Sequence, residues 1–564
     1  MSEKRETQEI TLDVRGMTCD SCATHVAGAL RDVPGVLKVE VPGWKSAKAV
    51  VEAGADVPPE ALEKAVQEAG YRATVKQRRD LRPDVPGGNG GAQDFDLMVI
   101  GGGSAGFAAA IKGAELGRRV ALVEASTIGG TCVNIGCVPS KTLIRAAELQ
   151  HRAGHHPFRG VVRLSAAGDW GAAVAQKDEL VSDLRQAKYV DVLAAYPEIT
   201  YIQGWARLLG DNRVEITPVG NGSAPETYTP GRIVITTGAR PWVPPIPGLQ
   251  EAGYMDSTAA LARPDRPASL IVVGANAVGL ELAQIYARFG TKVIVLEVLP
   301  RIAPFEDRDI SEALAGYLRD EGLTVETGVN ITRVARDEHG YHLTAERAGE
   351  TLLFEAQALL MATGRRANTA NMGLEEAGVE LGGRGEIVVD DHLRTANPYV
   401  YAAGDVTGRD MFVYVAAYSG TLAAENALEG AGRVYDTSVL PRVTFTDPAV
   451  AAVGLTDDQA REAGFEVETS VLPLEYVPRA LANRDTRGLI KLVADAATDH
   501  LLGAHVLAPD AGEIIQTAVI AIKAGMTVQD MTDTLFPYLT MVEGLKLAAQ
   551  TFEKDVAMLS CCAG

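Results

Sequence analysis

Six cysteines in this sequence could do chemistry, and they occur only in pairs, namely Cys19 with Cys22, Cys132 with Cys137, and Cys561 with Cys562. Thiolates act as nucleophiles and as ligands for soft metal ions. The N-terminus, MSEKRETQEI, is charged and lacks the apolar stretch of a secretory signal, so we predict a cytoplasmic protein in which structural disulfides are uncommon. Three dithiols in such a chain indicate redox or metal chemistry with a soft metal ion.

The central pair lies in the run GGTCVNIGCVPSK, residues 129–141. In a regular helix, with a rise of about 1.5 Å per residue, two Cα atoms five residues apart would be roughly 7.5 Å apart. A disulfide tolerates about 7 Å at most. If the two cysteines bridge, the segment is therefore not regular helix, and Gly136 and Pro139 supply the irregularity. A pair of inert buried thiols is the alternative, and the neighbouring motif weighs against it.

That motif is DFDLMVIGGGSAGFAAAIKGAELGRRVALVE, residues 94–124, which predicts a strand, a helix and a second strand. Gly101 permits a tight turn, Gly103 lets the backbone approach a pyrophosphate, and Gly106 allows close packing of helix on strand. The helix N-terminus then faces the phosphates, and Glu124 can accept a hydrogen bond from a ribose hydroxyl. The order of these parts predicts a dinucleotide-binding fold beside the cysteine pair.

The run 129–141 resembles the GGTCxxxGCxPSK signature of the flavin-dependent pyridine nucleotide–disulfide oxidoreductases, residue by residue. The resemblance implies that FAD is bound at the first motif and also at Gly130 and Thr131. It further implies that Cys132 and Cys137 form the redox-active pair. Cys137 would then be the charge-transfer thiolate nearer the flavin, and Cys132 the outer thiol.

A second dinucleotide motif, SLIVVGANAVGLELAQIYARFGTKVIVLE, begins at Ser269. Its turn carries Gly274 and Gly279, but Asn276 stands where the middle glycine usually lies. Strand, helix, second strand and Glu297 remain in place, so we expect a site for NADPH or NADH rather than an unrelated βαβ unit. A carboxylate at Glu297 suits an unphosphorylated ribose and predicts appreciable use of NADH.

The remaining signatures of the family follow in order. Glu281 matches the glutamate that pairs with Lys141 and sets the charge beside the flavin. Gly238 lies in the crossing TTGARP from the flavin domain to the nicotinamide domain, and Gly364 lies in MATGRRAN, which closes the latter. Gly404 and Asp405, in PYVYAAGDVTG, resemble the second flavin motif, in which the aspartate holds the ribityl chain.

Upstream of the first motif, residues 8–76 predict a βαββαβ order, which fits a ferredoxin-like fold. Gly16 begins the run GMTCDSC, which resembles the loop of heavy-metal-associated domains, and Cys19 and Cys22 would bind a soft cation at a helix N-terminus. A thioredoxin-like CxxC is the alternative, but its flanking pattern is missing. Residues 79–93, rich in Gly, Pro and charge, predict a flexible linker.

The predicted fold class is α/β, with two Rossmann-like domains, an α+β dimerisation domain and the small N-terminal domain. The expected segments are 1–78 heavy-metal-associated, 79–93 linker, 94–240 and 365–440 FAD-binding, 241–364 NAD(P)-binding, and 441–564 dimerisation with the cysteine tail. The net charge of −20 argues against a nucleic-acid partner. Apolar runs are short and interrupted by glycine, so no membrane insertion is expected.

The C-terminal part distinguishes members of the family. Members that reduce a substrate disulfide carry a His-Pro contributed by the partner subunit, but here Phe536 precedes Pro537, and no histidine follows His505. Phenylalanine cannot protonate a leaving thiolate, which argues against lipoamide or glutathione as substrate. The tail supplies Cys561 and Cys562 instead, as a thiolate clamp for a soft ion.

The sequence in this part, LFPYLT followed by the tail, resembles the mercury-reducing members of the family. That resemblance implies a homodimer in which the tail of one subunit passes Hg(II) to Cys132 and Cys137 of the other. It also implies that Tyr189 and Tyr538 line the metal site. Two alternatives remain open, a dihydrolipoyl dehydrogenase-like enzyme and a metal-sequestering protein with a vestigial flavin domain.

Overall fold

The computed structural model describes residues 7–17, 20–54, 57–81, 93–164, 166, 168–220 and 222–556. The chain divides into two compact units, Met1–Ala92 and Gln93–Gly564. No helix within the described ranges is long and apolar enough to cross a membrane.

The N-terminal unit has the predicted βαββαβ order. Its elements are β1 (Thr7–Arg15), α1 (Asp20–Arg31), β2 (Val36–Glu40), β3 (Lys48–Gly54), α2 (Pro59–Glu68) and β4 (Arg72–Leu81). The sheet order is β2-β3-β1-β4, and the apolar faces of α1 and the sheet form one core around Ile10, Leu12 and Leu30. Strand β4 runs three residues into the segment predicted as linker, because its backbone pairs with β1 as far as Leu81 opposite Thr7.

The larger unit begins with the flavin-type sheet. Its elements are β5 (Leu97–Ile100), α3 (Ser104–Glu115), β6 (Val120–Glu124), α4 (Gly130–Ile135), α5 (Cys137–His155), α6 (Trp170–Arg185), α7 (Asp191–Ala194), β7 (Ile199–Gly210), β8 (Arg213–Pro218), β9 (Glu226–Tyr228) and β10 (Arg232–Ile235). The sheet order is β20-β10-β5-β6-β7-β8-β9, where β20 (Val400–Ala402) comes from later in the chain. Five strands of this sheet are parallel. Four of them, β20, β10, β5 and β6, are almost fully buried apolar runs, as expected where both faces of a parallel sheet are covered, whereas β7 is largely exposed.

The nicotinamide-type unit follows a two-stranded crossing of β11 (Ala239–Pro241) with β19 (Arg365–Ala367). Between them lie α8 (Leu249–Ala252), α9 (Ser257–Ala262), β12 (Ser269–Val273), α10 (Ala277–Arg288), β13 (Lys292–Leu296), α11 (Arg308–Asp320), β14 (Thr324–Glu326), β15 (Asn330–Asp337), β16 (Gly340–Arg347), β17 (Glu350–Ala356) and β18 (Ala358–Met361). A parallel sheet, β14-β13-β12-β18, is joined by the antiparallel sheet β15-β16-β17. The predicted strand–helix–strand order is therefore present in both dinucleotide motifs.

The last part returns to the flavin sheet through β20 and α12 (Val413–Glu429). It then forms an antiparallel sheet, β21-β22-β25-β24-β23, with flanking helices. Its elements are β21 (Arg442–Thr444), β22 (Ala449–Gly454), α13 (Asp457–Glu462), β23 (Val467–Pro473), α14 (Pro478–Asn483), β24 (Leu489–Asp495), β25 (Leu501–Ala508), α15 (Ala511–Lys523), α16 (Val528–Asp533) and α17 (Glu543–Gln550). This is the α+β arrangement expected for the dimerisation domain.

Helices α5 and α10 position the chemistry. Leu143 and Ala147 of α5 lie in the same buried cluster as Leu280 and Ala283 of α10. A helix that is apolar on the contacting face buries it against a neighbour, and this contact brings the start of α5, which carries Cys137, close to the start of α10. The site is therefore built on rigid helices rather than on loops.

Candidate functional site

The cysteine pair spans a break between two helices. Cys132 lies in α4, and Cys137 is the first residue of α5. Gly136 separates them with φ −131° and ψ −111°, outside helical geometry, so the run is not one regular helix although the two cysteines are not bridged. Pro139 lies in the first turn of α5, where a missing N–H costs no intrahelical bond. Both thiols are half-buried, and no disulfide joins them in this structure.

The two thiols differ in acidity. A hydrogen bond from Cys132 lowers the pKa of Cys137 to about 7, against the effect of burial and with help from the charge of Lys141. The same hydrogen bond, together with burial, raises the pKa of Cys132. The pair therefore holds one thiolate near neutral pH, and that thiolate is Cys137.

Lys141 lies one helical turn beyond Cys137. Its Nζ donates a hydrogen bond of 2.7 Å to Oε2 of Glu281, as the family resemblance implies. The Glu281 side chain is only 5% exposed, and its Oε1 accepts a hydrogen bond of 2.9 Å from the backbone N–H of Phe445. The Phe445 ring lies 4.7 Å from Lys141 Nζ, so the ammonium group has a carboxylate and an aromatic face as neighbours. Phe445 is a site residue that the sequence did not indicate.

Tyr189 lies beside the cysteine run. It belongs to a π-helical turn, Gln186–Val190, inserted after α6, and such turns often occur at functional sites. Its ring packs edge-on against Phe107 at 4.7 Å, and a Cβ placed on Gly129 would lie 3.3 Å from the ring. Burial raises the pKa of Tyr189, and a hydrogen bond to Ser104 opposes that rise. The structure thus brings Tyr189 to the segment that precedes Cys132.

The first and third glycines of the first glycine-rich loop leave no room for a side chain. A Cβ on Gly101 would lie 2.4 Å from the carbonyl oxygen of Thr236, and one on Gly106 would lie 1.8 Å from that of Gly101. Gly130 has φ +62°, and a Cβ there would lie 2.6 Å from Cα of Gly103. Thr131 follows directly in α4. The loop and the cysteine run thus pack backbone against backbone.

Glu124 closes this loop. Its carboxylate accepts hydrogen bonds from Gly102 N at 2.6 Å and from Ser126 N at 2.7 Å. Each oxygen keeps a further lone pair for a ribose hydroxyl. A helix N-terminus at Ser104, a side-chain-free loop and an anchored carboxylate fit the pyrophosphate and ribose of FAD.

The second flavin motif lies at the end of β20. Gly404 packs close to Ala105 of α3, because a Cβ on it would lie 3.1 Å from the Ala105 Cβ. Burial raises the pKa of Asp405, and Arg365 at 3.9 Å opposes that rise. A half-buried carboxylate at this end of the sheet fits a partner rich in hydroxyl groups, such as the ribityl chain.

Two further predicted glycines lie at the crossing between the domains. The carbonyl oxygen of Gly364 accepts a hydrogen bond of 3.0 Å from Trp242 N, and that of Gly238 accepts one of 2.9 Å from Asn368 N. They flank the pair β11–β19 and join the two dinucleotide units.

The second dinucleotide loop has the same construction. A Cβ on Gly274 would lie 2.5 Å from the carbonyl oxygen of Ala362, and one on Gly279 would lie 1.9 Å from that of Gly274. Glu297 is 7% exposed and accepts hydrogen bonds from Ala275 N at 2.7 Å and Leu299 N at 2.9 Å. These features fit a second dinucleotide.

Arg301 lies four residues after Glu297, and a cation there could pair with a 2′-phosphate, but its guanidinium group binds backbone carbonyl groups instead. Its Nη2 donates to the carbonyl oxygens of Pro304 at 2.9 Å and Glu306 at 3.3 Å. The buried carboxylate of Glu297 therefore remains the main charge at the ribose end of this loop.

The structure describes only some of the residues predicted to bind metal. Cys22 lies half-buried in α1, and Tyr538, between α16 and α17, is 51% exposed in the single chain. Cys19, Cys561 and Cys562 lie outside the described residues. Within the described ranges, no group of three or more His, Cys, Asp or Glu side chains is arranged to hold a metal ion. Phe536 packs against the core of the dimerisation domain.

Three family models match the chain. The model described as "Pyridine nucleotide-disulphide oxidoreductase" matches residues 95–420, and the corresponding dimerisation domain matches 440–549. The heavy-metal-associated domain matches residues 11–72.

Several relatives and solved structures are similar over most of the chain. A mercuric reductase from Bacillus cereus is 44% identical over 98% of this chain and 87% of the relative. One from Streptomyces lividans is 48% identical over 83% of this chain and 98% of the relative. A solved structure, the Cu(II) complex of the HOCl-induced flavoprotein disulfide reductase RclA from Escherichia coli, is 32% identical with a TM-score of 0.73, covering 82% of this chain and 100% of that one. The chain therefore belongs to the pyridine nucleotide-disulphide oxidoreductase family.

Proposed function

We propose that this chain is a mercury(II) reductase that uses FAD and NAD(P)H to convert Hg(II) to Hg(0). The observation that carries the proposal is the half-buried pair Cys132 and Cys137 beside the Lys141–Glu281 ion pair. The relatives from Bacillus cereus and Streptomyces lividans, both named mercuric reductase, support the choice of substrate.

When bound, NAD(P)H and FAD supply two electrons and deliver them beside the cysteine pair. The first glycine-rich loop, Glu124 and Asp405 hold the flavin nucleotide, and the second loop and Glu297 hold the nicotinamide nucleotide. Lys141, fixed by Glu281, places a positive charge where the electrons arrive.

Cys137 and Cys132 hold the metal ion. Soft thiolate ligands favour a soft cation, and Cys137 is a thiolate near neutral pH. Cys132 loses its proton as Hg(II) binds, because a metal-bound thiol is deprotonated. Two electrons then reduce the bound Hg(II) to Hg(0), and no proton goes to the metal. A site with Phe536 in place of a proton-carrying histidine suits this reaction.

The active site is shared between two subunits. Cys561 and Cys562 of the partner subunit capture Hg(II) and pass it to Cys132 and Cys137 by thiolate exchange. Tyr189, which packs near the cysteine run, and Tyr538 of the partner subunit line the path. The dimerisation domain and the 51% exposure of Tyr538 in the single chain support this arrangement.

The N-terminal domain supplies the metal. Cys19 and Cys22 bind Hg(II) as a pair and pass it to the C-terminal tail. The match to the heavy-metal-associated domain supports this role.

The decisive experiment is oxidation of NADPH and NADH by the purified, flavin-loaded protein with Hg(II) and excess thiol. We expect oxidation that depends on Hg(II) and is abolished by Cys137→Ser or Cys132→Ser. Lipoamide serves as the control substrate. Rapid turnover of lipoamide without any rate that depends on Hg(II) would contradict the proposal, and stoichiometric metal binding without nucleotide oxidation would favour sequestration.

The role of the tail is tested with Cys561→Ser/Cys562→Ser. Turnover should slow most when mercury arrives on bulky thiol ligands, since small complexes can reach the inner pair directly. Equal activity of this variant on every mercury complex would remove the transfer role.

Deletion of residues 1–93 tests the N-terminal domain. The remaining chain should stay folded, flavin-bound and active, because the large unit holds its own cores. Loss of flavin or of dimerisation would assign the domain a structural role instead.

A further inference from the structure

One face of α10 is polar although the helix is buried. Glu281, Gln284 and Arg288 are spaced three and four residues apart, so they lie on the same side of the helix. Glu281 and Gln284 are buried, and the Arg288 side chain is only 3% exposed. Burying polar groups is unfavourable unless each finds a hydrogen-bond partner. The hydrogen-bond partners of this polar face therefore indicate its structural role.

All three side chains bind one short segment of the dimerisation domain, residues 445–447. Glu281 accepts from Phe445 N at 2.9 Å. Gln284 binds both backbone groups of Asp447, accepting from its N–H at 2.8 Å and donating to its carbonyl oxygen at 2.9 Å. Arg288 contacts the Asp447 carboxylate at 2.9 Å and its carbonyl oxygen at 3.2 Å.

The same segment reaches the redox site through its first residue. The N–H of Phe445 donates to Glu281, and its ring contacts Lys141, whose Nζ lies 4.7 Å from the ring centroid. Anything that fixes the backbone at Asp447 therefore also fixes the two groups that hold Lys141. Phe445 as a residue is 41% exposed in the single chain, so its backbone hydrogen bond to Glu281 is an important constraint on its position.

We propose that Gln284 is a positioning residue for the redox site, acting through Phe445 on the Lys141–Glu281 pair. Gln284 holds residues 445–447 by their backbone, and the segment holds Lys141 in place beside the flavin. The inference rests on the proposed position of Lys141 in the flavin site.

Arg288 and Arg487 hold the segment differently. Arg487 meets the Asp447 carboxylate at 3.3 Å and also binds Asp485 and Glu321. Arg288 is itself anchored by Glu321 at 2.6 Å. These ion pairs fix the Asp447 side chain, and Arg288 also reaches the Asp447 carbonyl oxygen at 3.2 Å, whereas Gln284 pairs with the peptide groups on both sides of the Asp447 Cα. Removal of Gln284 leaves the buried N–H of Asp447 without that partner and its carbonyl oxygen with Arg288 alone, which favours a shift of the backbone.

Movement of Lys141 has a measurable consequence. A fixed ammonium group stabilises the more electron-rich, reduced state of a neighbouring flavin. If the group moves away, the two-electron reduction potential of the flavin becomes more negative. Lys141→Met gives the full size of this effect and serves as the reference.

The experiment compares Gln284→Leu with Arg487→Met in the FAD-bound enzyme, without mercury. For Gln284→Leu we expect the equilibrium with a reference dye to shift at least tenfold toward oxidised flavin, about 30 mV for a two-electron couple. Amide hydrogen exchange at Phe445 should accelerate in the same variant. Arg487→Met, the matched control, removes contacts to the Asp447 side chain and should leave the potential and the Phe445 amide unchanged.

A second variant, Phe445→Leu, tests the inference independently in case Gln284→Leu misfolds. Phe445→Leu removes an exposed ring, so it should fold, and it should shift the potential in the same direction. In the double variant the two shifts should not add, because both act through one contact. Unchanged potentials in Gln284→Leu and Phe445→Leu, with a shift in Lys141→Met, would overturn this inference alone. An unchanged potential in Lys141→Met would contradict the proposed flavin site itself.

Discussion

The two dinucleotide loops are built alike but differ at the middle residue. Gly103 in the first loop and Asn276 in the second have nearly the same backbone, with φ −87°, ψ −169° and φ −105°, ψ −173°. Any residue adopts this conformation, so neither loop needs glycine there for its own geometry. The first and third glycines, by contrast, are excluded from bearing a side chain by backbone atoms in both loops.

What differs is the chain that lies across the loop. The cysteine run packs on the first loop, where Gly130 would place a Cβ 2.6 Å from Cα of Gly103. The second loop is crossed by the segment at Ala303, whose N–H donates to the carbonyl oxygen of Ala275 at 2.7 Å, as the N–H of Gly129 donates to that of Gly102 at 2.8 Å in the first loop. The close approach therefore requires glycine at position 130 of the crossing chain, whereas a Cβ on Gly103 would lie 3.6 Å from Cα of Gly130, an ordinary contact.

Breaking the backbone contact of the first loop should have the largest effect. In Gly130→Ala the new side chain must adopt φ +62° and also meet Gly103. Backbone strain and overpacking together cost ~3 kcal/mol, which predicts about 100-fold weaker FAD binding. The measurement is FAD affinity by fluorescence quenching.

Gly160→Ala is the matched control. Gly160 has φ +82° but nothing within 4 Å of its Cβ position, so the variant carries the strain without the contact. We expect Gly160→Ala to keep its FAD affinity. A loss of affinity as large as that of Gly130→Ala would show that backbone strain, rather than the packing of the cysteine run, explains the loss.

The second loop should tolerate more. Asn276 begins α10 without a side-chain cap hydrogen bond, so Asn276→Gly should change stability by at most ~0.5 kcal/mol. Asn276→Asp adds a negative charge where the pyrophosphate approaches and should raise KM for NAD(P)H about tenfold, ~1.4 kcal/mol. Steady-state kinetics with each variant give both values. A large KM change in Asn276→Gly would show that the amide binds the phosphates.

The carboxylates of the two loops, Glu124 and Glu297, should differ in their effect on nicotinamide preference. Glu297→Gln should raise the ratio of kcat/KM for NADPH over NADH about threefold to tenfold, because a carboxylate repels a 2′-phosphate in a buried pocket. Glu124→Gln, measured with saturating FAD, should leave that ratio unchanged. A ratio that does not change in Glu297→Gln would mean that the acid does not face the ribose.

The smallest expected effect is on the pH dependence of Cys137 alkylation. A change at Cys132, next to the first loop, should alter it, and a change in the second loop should not. Alkylation of Cys137 by iodoacetamide should have a midpoint at about pH 7 and become slower below it, because the thiolate reacts and its pKa is lowered from 9.0. Cys132→Ala removes the largest cause of that lowering and should move the midpoint upward. Asn276→Gly should leave it in place. The rate of alkylation against pH, followed by mass spectrometry, measures all three.

The sequence was sufficient for the parts that are local. Both glycine-rich loops, both carboxylates and the break at Gly136 follow from residue types at fixed spacing, and the structure contains them. The pairing of Lys141 with Glu281 came from family resemblance, and the structure forms it at 2.7 Å. The linker start was wrong by three residues, because strand pairing, not composition, ends β4.

The sequence did not predict the contacts between distant segments. Phe445 and Gln284 carry no motif, and their contacts join residues more than 160 positions apart. Only the docking of α10 on the dimerisation domain brings them together. Tyr189 was proposed by resemblance, and the π-helical turn that positions it has no signature in the run RQAKYVDVL.

The shared core of α5 and α10 has a consequence for local unfolding. Leu143 and Ala147 pack in one cluster with Leu280 and Ala283, so neither helix can open without exposing the other. Contiguous packing of this kind makes a cooperative unit. The helix that carries Cys137 and Lys141 and the helix that carries Glu281 should therefore exchange their amide hydrogens with the same opening free energy, even though 140 residues separate the two charged partners.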